Sequence, residues 1–264
     1  MEIGSAKPSL EDRRSVPHHL ISIVNPWENY SVSNFFSSAS LLINQIHGRK
    51  RNVLLVGGSM MYFKALQEGI SVLPPLDPEV KKYVQLKSLD FCYSFLKQRD
   101  AKLADQLHPN DTYRVRRAVA MILSTDKPYS QILLENKRQG GLGACLILCS
   151  IIPGSKEQLN VNITDRFNCM LKQGFLKEVE ALQRLKQMNI NCSSIKSVGY
   201  HQAWHHLSGC YDYETFIKRT ILATRKLAKH QLTWIRNWKH MKVFETNDSQ
   251  ILLKKILHYY LNFI

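Results

Sequence analysis

Residues 52–69 read NVLLVGGSMMYFKALQEG, and the fold turns on them. Asn52–Val56 is a continuous apolar run, the kind buried on both faces of a parallel sheet. Gly57, Gly58 and Ser59 follow as a turn, and the helical spacing of the next residues stops at Gly69. Strand, glycine turn and helix in that order make one α/β unit. Working outward, His18–Val24 and Ala144–Ile152 read as further strands and Lys242–Glu245 as a last one. Tyr30–Ile46, Thr164–Gln187, Tyr213–Trp238 and Gln250–Leu261 have helical spacing, with Ser31 or Ser33 placed to cap the first of them. Between the Pro-rich SVLPPLDPEV and Gly140, the segment Lys81–Asn136 is more polar and helical throughout. The predicted architecture is α/β, a small parallel sheet flanked by helices, with 1–72 and 140–264 forming the core and 73–139 an inserted helical module.

The chain has 264 residues, 44% of them hydrophobic, enough for one sizeable core and a smaller second module. No window approaches an uncharged apolar span of membrane length, and the N-terminus lacks the apolar stretch of a secretory signal. The six cysteines are scattered without a C-x-x-C pair, which argues against a disulfide framework or a zinc site. Cys145 and Cys149, inside ACLILCSII, read as small buried hydrophobes. The expectation is a soluble, reduced, cytoplasmic protein.

Lys and Arg number 36 against 21 acids, a formal +15. Much of that excess sits in KRTILATRKLAKHQLTWIRNW, Lys218–Trp238. At about 100° per residue, Lys218, Arg225, Lys229 and Arg236 form one row, uninterrupted by acids. Ile217, Ile221, Ala228, Leu232 and Ile235 form a neighbouring apolar stripe that faces the core. A row of cations on a helix is ordinarily a solvated face. Here Lys196–His240 also interleaves His201, His205, His206, His230 and His240 with Tyr200, Trp204, Trp234 and Trp238. Cations follow phosphates and planar groups stack on unpaired bases, so the combination points to RNA. A membrane-surface helix fits less well, because the aromatic residues are spread round the helix and leave no free apolar face.

Other candidate positions are local. Gly57–Ser59 opens a helix after a strand, where free N–H groups and a hydroxyl can meet an anion; a tight turn with a capping serine reads equally well. Arg114, Arg116 and Arg117 lie on a helix starting near Asp111, with Arg114 and Arg117 spaced to grip adjacent phosphates or simply to face solvent. Arg166 is a lone arginine beside the apolar face Ile163, Phe167, Met170 and Leu171. Gly199 permits a close turn before a helix, and Tyr200 there either stacks on a base or fills the core. The chain contains no G-x-x-x-x-G-K-[ST] string.

Taken together the motifs resemble the tRNA dimethylallyltransferases (tRNA isopentenyltransferases). The resemblance is carried nearly end to end by MEIGSAKPS, VPHHLI, NPWENYSVSNF, LLVGGSMMYFKALQEG, LPPLDPEV, LHPNDTYRVRRA, RFNCMLKQGFLKEVEAL, SIKSVGYHQAW and ATRKLAKHQLTWIRNW. It implies a P-loop-type sheet, nucleotide-binding by class, and transfer of a dimethylallyl group from dimethylallyl diphosphate to N6 of the adenine 3′ of the anticodon. It implies Mg²⁺ as the ion and a monomer bound to the anticodon stem-loop of tRNA.

The resemblance also assigns residues. Ser59 takes the place of a channel-lining threonine, and Arg166 that of an arginine binding diphosphate. Lys81, Tyr113, Arg114, Val115, Arg116 and Arg117 match tRNA-contacting positions. So do Lys196, Ser197, Val198, Gly199, Tyr200 and His201, and Lys229, His230, Gln231, Leu232, Thr233, Trp234, Ile235 and Arg236. His201 and His230 stand where the family more often has Arg, so two fixed cations become titratable. In family members the MEIGSAKP segment follows a P-loop strand and a second strand ending in Asp-Ser. Met1 stands at what is normally an internal methionine. The expectation is therefore that the diphosphate loop, the general-base aspartate and the first strands are missing, leaving an impaired transferase or an inactive tRNA-binding remnant. A relative of P-loop nucleotide kinases would leave the Lys229–Arg236 signature unexplained. The cations of Lys218–Arg236 and the trio Arg114, Arg116 and Arg117 are expected to form one cradle for an RNA hairpin.

Overall fold

The computed structural model describes residues 1–143, 146–245 and 248–263. The chain divides into two compact units, Met1–Phe63 with Ala144–Ile264, and Lys64–Gly143. In chain order the helices begin with α1 (Leu10–Ser15), α2 (Val32–Gly48) and α3 (Met60–Glu68). The second unit continues with α4 (Pro78–Leu86), α5 (Leu89–Arg99), α6 (Ala101–Ala104), α7 (Thr112–Thr125) and α8 (Tyr129–Glu135). The first unit resumes with β1 (Cys149–Ile152), α9 (Lys156–Lys172), α10 (Phe175–Gln183), α11 (Tyr200–Leu207), α12 (Tyr213–Arg236), β2 (Lys242–Glu245) and α13 (Ser249–Leu261). β1 and β2 pair in parallel, Cys149 opposite Lys242 through Ile152 opposite Glu245. The fold is mixed α/β with a small parallel sheet and many helices.

Helix boundaries follow local chemistry. Ser31 caps α2 by accepting the Asn34 N–H, and Asp77, Ser88, Asp111, Ser155 and Asp212 cap five others in the same manner. The single helix expected over Thr164–Gln187 is instead α9 and α10. Gly174 divides them with φ 97°, a left-handed conformation that only glycine adopts without strain.

The strands differ most from expectation. His18–Val24 is not a strand: Leu20 and Ser22 take φ of 59° and 55°, which breaks extended geometry. Asn52–Val56 has no ladder partner among the described residues, and Leu54 and Val56 are each 85% exposed. An apolar run of this kind becomes a strand only when neighbours offer backbone groups on its edges. The strand expected over Ala144–Ile152 begins at Cys149; Ala144 and Cys145 lie outside the described residues. Cys149 is exposed rather than buried, and among the described residues it is Cys92 that is enclosed in a core.

The core of the first unit gathers Phe167, Phe175, Val179, Ile195, Tyr200, Ala203 and Phe216. Its ring contacts are edge-on: Phe167 meets Phe216 at 5.6 Å and Phe175 meets Tyr200 at 5.1 Å between centroids, the favoured geometry for aromatic quadrupoles. One carboxylate ties the chain start to this core. Glu178 accepts the backbone N–H groups of Glu2, Ile3 and Gly4 at 2.5, 3.0 and 3.4 Å and the Tyr200 hydroxyl at 2.5 Å. Three successive N–H groups turned to one anion form a nest. Gly4 is required there, since a Cβ would stand 2.3 Å from Phe175 and 2.7 Å from Tyr200.

The second unit packs α4, α5, α7 and α8 around Val84, Cys92, Leu96, Val115, Val119 and Ile122. Asp100 is buried there and satisfied: it accepts the Leu103 N–H and both the N–H and hydroxyl of Ser130. The unit closes on itself where Ile70 bridges Gln139 antiparallel and the Leu142 N–H donates to Leu66. Gly69, at φ 80°, and Gly141 sit at that closure, where a Cβ on either would run into the opposing backbone.

Burial pushes the Glu178 pKa up, but the hydrogen bonds from Tyr200 and from the N–H groups of Glu2, Ile3 and Gly4 outweigh it and hold the carboxyl below its usual 4.5. A pKa lowered by folding adds stability that is complete above the usual value and is lost as pH falls through the lowered one. Replacing Glu178 by Gln is expected to cost about 2 kcal/mol, the scale of hydrogen bonds to a charged acceptor. Urea unfolding at neutral pH checks this, and the gap between wild type and variant should narrow below about pH 4.

Candidate functional site

α12 is two-sided. Phe216 and Thr220 are its fully buried residues, and Ile217, Ile221, Ala228, Leu232 and Ile235 are half-covered. The opposite face carries Lys218, Arg219, Arg225, Lys226, Lys229, His230 and Arg236, all exposed. The apolar stripe read from the sequence therefore lies on the flank of the buried face rather than at its centre. Thr220, Thr224 and Thr233 each turn their hydroxyls back to the carbonyl four residues earlier, so the covered Thr220 leaves no polar group unpaired.

The cation row has one neutralised member. Lys218 pairs with Glu214 at 2.6 Å, which raises its pKa. Arg225, Lys229 and Arg236 have no carboxylate within 4 Å among the described residues. Trp234 and Trp238 lie against each other near the helix end, centroids 6.3 Å apart. The row as expected is therefore three open cations and one closed.

Gly57–Ser59 meets α12 directly. The Gln231 side-chain amide donates to the Gly58 carbonyl at 3.0 Å. A Cβ at Gly58 would stand 2.3 Å from that nitrogen, so the close approach depends on glycine. Ser59 is exposed at the entrance to α3, and its carbonyl accepts the Tyr62 N–H. Tyr62 stacks on Phe35 of α2 at 4.3 Å, fixing α3 to α2. Gln231 belongs to the covered face of α12, and the open cations begin about 120° round the helix from it. Two segments singled out separately in the sequence are thus joined: the Gly57–Ser59 loop is bonded to a helix whose far flank is cationic. Arg166, exposed on α9, packs in the same unit, with no ion pair among the described residues.

The segment Lys196–His201 separates by burial. Lys196 and Ser197 are exposed and Val198 is half-covered. Gly199, at φ 91°, is buried and starts α11. Tyr200 is in the core with its hydroxyl on Glu178, so it is not a stacking surface for a base. His201 touches His205 edge-on at 4.6 Å. Burial first, then the neighbouring His205 and Lys196, pushes its pKa below the ordinary histidine value.

In the second unit the arginine trio also divides. Arg114 is exposed and lies 3.4 Å from Asp111, whose carboxylate caps α7 at the same time. Arg116 turns inward and donates to the Lys87 carbonyl at 2.9 Å, with its Nε buried. Val115 is core, with no exposed surface. Their side chains hold the helix rather than present a contact surface. Lys81, Tyr113 and Arg114 are exposed and Arg117 half-exposed.

Residues 1–238 match the model of the family described as IPP transferase. The chain belongs to the IPP transferase family. A tRNA dimethylallyltransferase of Francisella tularensis subsp. novicida is 41% identical over 98% of this chain and 85% of its own length. The tRNA dimethylallyltransferase of Francisella philomiragia matches to the same extent. Among solved structures, the tRNA isopentenylpyrophosphate transferase of Bacillus halodurans superimposes with TM-score 0.70 at 29% identity, over 99% of this chain and 83% of that one. A eukaryotic dimethylallyltransferase crystallised acting on tRNA shares the fold, with TM-score 0.76 at 23% identity over 98% and 69%. Relatives within the IPP transferase family are prenyl-transferring enzymes by name, and the motifs quoted from the sequence run through the matched span.

Among the described residues no three of His, Cys, Asp and Glu converge as metal ligands, and no helix is long and apolar enough to cross a membrane. Arg219 and Lys226, absent from the row read in the sequence, repeat the seven-residue spacing of Lys218 and Arg225 one position later, which makes a second exposed row about 100° round the helix.

Replacing Gly58 by Ala is expected to displace Gln231 and lose its bond to the loop, lowering stability by about 1 kcal/mol. The double variant Gly58→Ala with Gln231→Ala should show a non-additive loss in thermal melting, because both changes remove one contact.

Proposed function

We propose that this chain transfers a dimethylallyl group from dimethylallyl diphosphate to N6 of the adenine 3′ of the anticodon in tRNA. The observation that carries this is its 41% identity, over 98% of the chain, to proteins named tRNA dimethylallyltransferase. The geometry supports the same reading. A hydroxyl on a glycine loop, clamped to a helix with open cations, is suited to meeting both a diphosphate and an RNA strand. The parallel pairing of β1 and β2 accords with a P-loop-type sheet. A monomer acting in the cytoplasm completes the reading.

In this reaction the adenine amine attacks the allylic carbon, the C–O bond breaks, diphosphate leaves with the bonding electrons, and the surplus proton on nitrogen passes to water or to the released diphosphate. The chain's part is positioning and charge stabilisation. The target base must first leave the anticodon-loop stack, at a cost of a few kcal/mol. Exposed Lys229 and Arg236 hold the RNA backbone while the base is presented to the Ser59 loop. Ser59 Oγ orients the amine or a diphosphate oxygen, and Arg166 takes the leaving diphosphate. Lys81, Tyr113, Arg114 and Arg117 supply contacts to the RNA from the helical unit. Lys196 and Ser197 add exposed donors beside α11. Mg²⁺ belongs to this reading as an ion that would be held mainly through the substrate diphosphate and would neutralise its charge.

Purified chain mixed with tRNA and labelled dimethylallyl diphosphate should move label into RNA. RNA binding without transfer would support the inactive-remnant alternative instead. Ser59→Ala should slow transfer about tenfold, the worth of roughly 1.4 kcal/mol of hydrogen bonding, with RNA affinity unchanged. Arg114→Ala and Lys229→Ala should each flatten the dependence of log affinity on log salt by about one phosphate contact. Fluorescence anisotropy across a salt series reads this directly.

A further inference from the structure

Beside the open cations of α12 runs a groove of about 620 Å³. One wall is α12, through Arg219 and Lys226, and the other is α11, through His201 and His205. The turn Cys210–Tyr211 closes its end. Among the described residues no carboxylate lines it.

The groove is constructed rather than incidental. The Tyr211 hydroxyl donates to the Gln202 carbonyl at 2.6 Å, which fixes the ring. The Arg219 guanidinium lies on that ring, 4.7 Å from its centroid. A guanidinium stacked in this way keeps its N–H edge available, because stacking uses the face and leaves the donors. Neither Arg219 nor Lys226 has a carboxylate within 4 Å among the described residues. His205 is oriented by Nδ1 against Cys210 Sγ at 3.4 Å and by its contact with His201.

We propose that this groove is a second RNA-binding subsite, in which Arg219 and Lys226 hold successive phosphates of a strand and the Tyr211 and histidine rings face its bases or sugars. The inference rests on the reading of the chain as a tRNA-modifying enzyme and extends its RNA contacts beyond the segments named above. Arg219 and Lys226 are seven residues apart, about 10 Å along the axis, more than a single phosphate occupies. They form a second exposed row, about 60–120° round the helix from Arg225 and Lys229, so the two rows together widen the cationic surface that a strand can follow. Lys226 stands five residues, about 8 Å along the axis, before Gln231 and on a different side of the helix from it, so the groove is distinct from the contact with the Ser59 loop. A free phosphate or diphosphate ion shares the chemistry but needs neither the length nor the ring floor.

The test uses the full chain, a fluorescent anticodon stem-loop RNA and inorganic diphosphate. Arg219→Gln and Lys226→Gln should each reduce the slope of log affinity against log salt by about 0.7 to 0.9 and weaken binding several-fold at 0.1 M salt. The double variant should lose close to twice that. Unchanged slopes in both variants, with Lys229→Ala still flattening its own, overturn the groove and leave the enzymatic reading intact. Unchanged slopes in all three remove RNA from α12 altogether. Loss of diphosphate binding in the two groove variants, with RNA slopes unaltered, reassigns the groove to a free ion and overturns the proposal. Circular dichroism establishes folding. If Arg219→Gln fails to fold because its ring contact is lost, Lys226→Gln alone decides, since that side chain is exposed.

Discussion

The carboxylate of Glu178 governs the first unit. It stands on α10, receives the first N–H groups of the chain, and receives the hydroxyl of the residue that opens α11. One anion therefore fixes three pieces of backbone that are distant in sequence. An anion with four donors keeps its charge despite partial burial, because the bonds compensate for lost water. The same bond commits Tyr200 to the core, which sets the turn at Gly199 and hence the direction in which α11 leaves. His201 and His205 face the groove because α11 starts where Tyr200 is held.

α12 converts this scaffold into a surface. Phe216 and Thr220 seat it against the core, and its covered flank takes the loop through Gln231. What remains outward is a field of cations with few counter-charges. Among the described residues Arg225, Lys226, Lys229 and Arg236 have no ion pair, so a polyanion does not first have to break one to reach them. Lys218, closed by Glu214, marks the N-terminal limit of that open field. The helix thus separates two tasks by angle: contact with the hydroxyl loop on one side and attraction of RNA on the other.

Most helices were legible in the sequence because they carry their own signals, a capping Ser or Asp, an apolar period or a glycine stop; the short α1 was not. The family resemblance and the exposed cation row were legible for the same reason, being local in the chain. Strand pairing was not. NVLLV has the composition of a buried strand, but pairing depends on what lies beside it, and the described residues place nothing there. The break at Gly174 has a local signal, a glycine two residues after Lys172 in the last turn of α9. The inward turn of Arg116 depends on the Lys87 carbonyl, a contact between two helices that spacing alone does not encode. Arg219 acquires its role from Tyr211, which comes before α12 begins and lies off its period.

The closure at Gly69 and Gly141 has an evolutionary corollary. The backbone that departs for the five helices of the second unit and the backbone that comes back from them touch at a single crossing, pinned by the bridge between Ile70 and Gln139. An excursion whose two ends coincide imposes no length on what lies between them. Helices there can be gained, trimmed or reshaped across a lineage while the crossing stays the same, and two residues without side chains are the condition for that freedom.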